Sequence, residues 1–158
     1  MINIIGIDPG LSGGLSALTP DGLVLQVMPV VSAGTRRQLD EQQIVQWLST
    51  FAVKPTRVFI EAVHAMPKQG VTSMFTFGTG WGLVRGICAG LGLSYELIRP
   101  QEWQRELLSG QAKGAEYLVA SRLWPLADWR SSERAKNPHD GLVDAALIAE
   151  FGRRKSRA

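Results

Sequence analysis

Asp140 and Asp144 stand four residues apart in the run His139-Asp140-Gly141-Leu142-Val143-Asp144-Ala145-Ala146-Leu147-Ile148-Ala149. On a helix that spacing puts both carboxylates on one face, roughly 5–6 Å apart at Cβ, where like charges destabilise. Asp140 would open the helix, where the macrodipole favours an acid. Asp144 has no such excuse, because its neighbours leave the helix almost no polar face. A carboxylate in that setting is paired with a cation or ligates a metal. Asp8 closes the apolar run Ile4-Ile5-Gly6-Ile7 and is followed by Pro9-Gly10 and then Ser12-Gly13-Gly14. A strand-end acid beside such a turn is held rigidly and stays reachable, and the glycines let a phosphodiester approach the backbone. The alternative is an aspartate that only forms the turn. Glu61 ends a second apolar strand, Val58-Phe59-Ile60. Beside a core an uncompensated carboxylate is costly or becomes protonated, unless it simply emerges into solvent.

Four carboxylates from three elements suit a hard divalent ion, Mg²⁺ with Mn²⁺ able to substitute, because such ions prefer oxygen ligands. Two ions per active site, about 3.5–4 Å apart, would hold the attacking water and the leaving oxygen of an in-line displacement. Zinc fits poorly, since the chain has a single cysteine, Cys88, and two histidines, His64 and His139. His139, next to Asp140, could contact metal or phosphate, or be an ordinary neighbour of a helix cap.

Alternating apolar residues predict strands over residues 2–8, 13–18 and 23–28, with Thr19-Pro20-Asp21-Gly22 as a turn, which makes an antiparallel meander. Helical spacing of Ile44, Leu48 and Phe51 predicts a helix from Gln38 to Thr50. A short buried strand over 57–60 ends at Glu61. Helices are expected from Ser73 to Gly90, from Pro100, from Lys113 to Leu123 and from Gly141 to Phe151, with a strand from Leu93 to Ile98 and a polar, basic loop over 126–138. Strands first, then strands alternating with helices, imply an α/β fold on a mixed sheet of about five strands whose first three are antiparallel. Residues 1–152 read as one domain and 153–158 as a basic, disordered tail. Gly78, Gly82, Gly86 and Gly90 recur every fourth residue of one helix, each at a cost of about 1 kcal/mol against alanine. Such a stripe lets another backbone come close, either the protein's own sheet or a partner's helix.

The 158 residues carry a formal net charge of +3, with 45% hydrophobic and 20% charged residues, as expected of one folded domain. The excess is compatible with a polyanionic partner without demanding one. Basic residues cluster at Arg130, Arg134 and Lys136 and again at Arg153, Arg154, Lys155 and Arg157. With one cysteine there is no internal disulfide to form, which suits a reducing cytoplasm. Met1 leads straight into Ile2–Ile7 without a secretory pattern, and no membrane span is expected.

The segment Ile4-Ile5-Gly6-Ile7-Asp8-Pro9-Gly10 resembles the opening strand of RuvC-type Holliday junction resolvases. Val58-Phe59-Ile60-Glu61 is similar to their second acidic strand, and His139 to Ala149 to their closing acidic helix, in the same order and over essentially the whole chain. The gap between Asp140 and Asp144 is closer to the phage and chloroplast branches than to the bacterial housekeeping enzyme. This resemblance implies a ribonuclease H-like nuclease, a homodimer on four-way junction DNA making symmetric nicks, in a bacterial or phage-infected cytoplasm. It assigns metal ligation and catalysis to Asp8, Glu61, Asp140 and Asp144. It also flags Lys113, in Ser109-Gly110-Gln111-Ala112-Lys113-Gly114, as a cation near the scissile phosphate; the other reading is a solvent-facing lysine. Where the bacterial enzyme has an aromatic residue thought to unstack bases, this chain has His64, which shifts junction opening to Met66, Met74 or Phe75. Other readings stay open: action on RNA–DNA hybrids or other branched DNA, and a non-catalytic junction-binding module. Sugar-kinase and actin-like ATPases open similarly but need two such domains.

Overall fold

Asn3 through Ile7 are all buried, because the strand they form, β1 (Asn3–Asp8), lies at the centre of a sheet covered on both faces. In the computed structural model, which describes residues 2–62 and 70–157, β1 is flanked by antiparallel β2 (Gly14–Thr19) and parallel β6 (Thr56–Glu61). Strands β3 (Gly22–Val27) and β7 (Ser94–Ile98) complete the order β3-β2-β1-β6-β7. The expected mixed five-stranded sheet, with its first three strands antiparallel, is therefore present. Alternate side chains feed two cores. Ile5, Ile7, Val58 and Ile60 pack with Ile44 and Leu48 of α1 (Glu41–Ala52) and Val84 and Cys88 of α2 (Val71–Gly90). Ile4 and Phe59 face the other way. There they meet α3 (Pro100–Leu107), α4 (Glu116–Leu123) and α5 (Asp140–Lys155).

Helix α5 lies directly on the strands because glycines remove the atoms that would keep it away. A Cβ on Gly6 would overlap the Ala145 carbonyl oxygen and the Ala149 nitrogen, and one on Gly14 would strike the Gly141 backbone. A Cβ on Gly152 would enter the Phe59 ring. The Ser16 hydroxyl, fully buried in β2, donates to Ala145 O at 2.7 Å, fixing the helix along its length. Gly6→Ala is accordingly expected to lower stability by about 1–3 kcal/mol, the usual range for overpacking. Urea unfolding monitored by tryptophan fluorescence would measure it; a loss under 0.5 kcal/mol would mean that the helix rides higher than described.

Several element limits differ from expectation. Residues predicted to begin a helix at Gln38 instead form a hairpin, β4 (Val30–Ala33) with β5 (Arg36–Leu39), turning at Gly34 with φ +64. The helix starts at Glu41, where the Asp40 carboxylate accepts from the Gln43 amide. The helix expected from Lys113 starts at Glu116, leaving Lys113 in the preceding turn. Arg153, Arg154 and Lys155, expected in a disordered tail, belong to α5. The first two pair with buried Glu150 and the third with Glu96 of β7. The glycine stripe does not pack on the protein's own sheet: a Cβ on Gly78, Gly82, Gly86 or Gly90 would meet nothing within 4 Å. His64 and Met66 lie outside the described residues.

Candidate functional site

The C-terminal ends of β1 and β6 are neighbours, with Ile7 opposite Ile60 in parallel register. Asp8 and Glu61 therefore leave the sheet side by side, one strand spacing apart, about 4.8 Å. The turn after Asp8 is tight: Gly13 donates to Gly10 O at 2.8 Å, and the Gly10 amide faces an Asp8 carboxylate oxygen at 3.4 Å. The start of α5 rests on this turn, since a Cβ on Gly141 would collide with Ser12 O and the Gly13 backbone. One helical turn later comes Asp144, half-buried amid buried neighbours from Leu142 to Ala149. Asp140 opens the same helix and is exposed.

Charge acts between these carboxylates. Burial, followed by the charges of Asp8, Glu61, Glu116 and Asp140, pushes the Asp144 carboxyl up to about 7. Burial also raises Asp8, against the opposing effects of the Gly10 amide and His139. It raises Glu61 as well, where the Trp103 indole opposes it and the Asp8 charge adds to it. No described lysine or arginine forms an ion pair with any of these carboxylates.

Glu61 is held at two points. Trp81 Nε1 of α2 donates to its main-chain carbonyl at 3.2 Å, and Trp103 Nε1 of α3 donates to its Oε1 at 2.9 Å. His139 caps the backbone of α5 while its buried Nδ1 has no hydrogen-bond partner among the described residues. The sequence did not reveal Trp81, Trp103 or Glu116 as members of this neighbourhood. Trp103 sits 42 residues from Glu61, and nothing local in its segment points there.

Lys113 is exposed in the turn before α4, three residues from Glu116, and no described carboxylate pairs with it. Arg130 is engaged by Asp128 through two hydrogen bonds of 2.9 and 2.7 Å, while Arg134 and Lys136 are exposed. Beside Asp8 lies a groove of about 770 Å³, walled by Pro9 and Gly10, by Arg36 and Arg37 of the hairpin, and by Thr76 and Phe77 of α2.

Among the described residues no three acidic, histidine or cysteine side chains are gathered closely enough to hold an ion as they stand. The donor chemistry nonetheless fits a hard divalent cation. The site offers only carboxylate oxygens and an unpartnered imidazole nitrogen. Like charges in a half-buried place repel one another until a cation offsets them.

This repulsion has a consequence for stability. An Asp144 that titrates near 7 when folded and near 3.8 in its ordinary state binds more protons in the folded protein across that window. Stability is then greatest below the window and falls as pH rises through it. Metal-free protein should melt higher at pH 5 than at pH 8, and Asp144→Asn should shrink the difference. Thermal melts in chelator would show this; an unchanged pH dependence in the variant would place Asp144 outside the cluster.

No family model matches this chain, and no curated protein matches its sequence. Solved structures do. The T. thermophilus RuvC structure in complex with Holliday junction substrate aligns over 99% of this chain and 96% of its own, with a TM-score of 0.68 and 18% identity. Another Thermus thermophilus RuvC structure aligns over 98% of this chain and 97% of its own, with a TM-score of 0.60 and 19% identity. The yeast mitochondrial Holliday junction resolvase Ydc2 aligns over 95% of this chain and 77% of its own, with a TM-score of 0.55 and 12% identity. At these identities the likeness is one of fold. The fold expected from the acidic segments, that of RuvC and the ribonuclease H-like nucleases, is the fold observed.

Proposed function

We propose that this chain is a divalent-metal-dependent endonuclease that resolves four-way DNA junctions by phosphodiester hydrolysis. One observation carries the reading: Asp8, Glu61 and Asp144, from two adjacent strand ends and the helix laid across them, act on one another's charge with no described lysine or arginine paired to them. The same fold is found in RuvC bound to a Holliday junction substrate.

Asp8, Glu61, Asp140 and Asp144 would hold the metal, with the His139 imidazole close enough for its charge to act on Asp8. When bound, a pair of Mg²⁺ or Mn²⁺ ions supplies Lewis-acid stabilisation of the attacking and leaving oxygens. The rigid Asp8 turn fixes one acid, and the two indoles fix another, so little reorganisation is left for the reacting state. The groove beside Asp8 offers Arg36 and Arg37 to a phosphate backbone, and Lys113 offers a cation to charge developing at the scissile phosphate. Incubation with Mg²⁺ of a synthetic four-way junction, an RNA–DNA hybrid and a linear duplex tests the reading. Selective cutting of the junction supports it; selective cutting of the hybrid favours the ribonuclease H alternative, and no cutting of any leaves a binding module.

The proposed enzyme is a homodimer acting in the cytoplasm of a bacterial or phage-infected cell. No described helix is long and apolar enough to cross a membrane. The open glycine stripe of α2 supports the dimer, because it continues into Val71 and Phe75, which are 80% and 77% exposed on the same helix face. A backbone-close, two-fold helix pair would cover both and suit symmetric nicking. Gly82→Leu is expected to shift the free protein to monomer in sedimentation velocity. A wild-type protein that sediments as a monomer with and without junction DNA would refute the dimer.

A further inference from the structure

Trp103 is the second residue after Gln101 in α3, a helix started by Pro100 and closed at its N-terminus by reciprocal bonds between Arg99 and Glu102. Its indole is 1% exposed and packs in the core with Phe59, Ile98, Leu142 and Val143. Within that core its only polar atom, Nε1, reaches outward to Glu61 Oε1 at 2.9 Å. An indole N–H can only donate, and a buried donor left without a partner is disfavoured. The ring cannot turn away, because the core surrounds it, so the bond fixes the carboxylate instead. The backbone of Glu61 is fixed separately, by the Trp81 donor on its carbonyl and by pairing with Ile98 of β7. One carboxylate oxygen is thereby engaged, and the other has no hydrogen-bond partner among the described residues.

We propose that Trp103 is a positioning residue for the candidate metal centre: its indole N–H pins Oε1 of Glu61, so that the free oxygen is held ready as a ligand before any ion arrives. The inference rests on the reading of Glu61 as a metal ligand. Groups that orient metal ligands in this way typically set affinity by about 10- to 100-fold. The donor, and not the bulk of the ring, is the active feature, since Trp81 supplies a similar ring and N–H to the same residue but only to its main chain.

Replacing Trp103 with β-(3-benzothienyl)alanine, which keeps the shape and puts sulfur in place of N–H, isolates the donor. Trp103→Phe provides a genetically encoded second variant, with thermal melts reporting how far packing suffers in each. Mg²⁺ and Mn²⁺ titration calorimetry on the full chain is expected to show about tenfold weaker binding in both variants. In wild type the Trp103 indole N–H resonance, identified by its loss in Trp103→Phe, should move on Mg²⁺ addition. Wild-type metal affinity in a folded benzothienyl variant would overturn the proposal and leave Trp103 as core packing alone, with the nuclease reading intact. A wild-type chain that binds neither ion would overturn both.

Discussion

Asp144→Asn is expected to stop junction cleavage, with single-turnover cutting slowed by at least about a thousandfold. Metal-assisted stabilisation of a displacement is worth several kcal/mol, and each 1.4 kcal/mol is tenfold in rate. The substitution keeps the shape of the side chain and removes one charge from a cluster in which Asp8, Glu61, Glu116 and Asp140 all act on Asp144. Removing that charge also weakens the repulsion felt by an approaching phosphate backbone. Junction binding should therefore survive or tighten while cutting is lost. Asp144 is half-buried among apolar neighbours of α5, where the neutral amide keeps the packing, and the lower repulsion should stabilise metal-free protein at pH 8. Gel-shift and single-turnover assays on the same four-way junction would separate the two effects. Near wild-type cutting in Mg²⁺ would make Asp144 a structural residue.

Lys113→Ala is expected to slow single-turnover cutting by about a hundredfold with little change in affinity, the usual scale for losing one preorganised electrostatic group. The lysine precedes α4 in a turn that Gly114 shapes with φ +80. That turn leads within three residues to Glu116, whose charge reaches Asp144. The basic loop should behave differently. Each phosphate contact adds about 0.9 to the slope of log affinity against log salt. Neutralising Arg134 and Lys136 should flatten that slope and leave turnover of bound junction nearly intact. Arg130, already engaged by Asp128, should contribute less than either. Equal losses of affinity and no loss of rate in the Lys113 and loop variants would make Lys113 one more surface charge.

The acids were legible because each interrupts an apolar pattern. Asp8 and Glu61 end strands that the sheet buries on both faces, and Asp144 stands in a helix whose other residues from Gly141 to Ala149 are buried. Pattern reading finds such residues because the anomaly is local. The hairpin of β4 and β5 was missed for the opposite reason. Its strands are four residues each, and Arg36-Arg37-Gln38 is exposed on both sides, so no alternation marks it. The C-terminal basic run was misread although its explanation stood in the sequence: Glu150 precedes Arg153 and Arg154 by three and four residues, the spacing that pairs charges on a helix. Contacts between distant segments, such as that of Trp103 with Glu61, leave no periodic trace. The glycine stripe showed only that something must come close, and the fold then removed the protein's own sheet as the answer.

The central claim is that the acids at the ends of β1 and β6 and on α5 form one divalent-cation centre. Anomalous diffraction from crystals grown with Mn²⁺ tests it most directly. One or two manganese peaks are expected at this place, ligated by Asp8, Glu61 and Asp144 with Asp140 in or beside the shell, and none in crystals of Asp144→Asn. Manganese bound elsewhere, or absent from this cluster at saturating concentration, would contradict it.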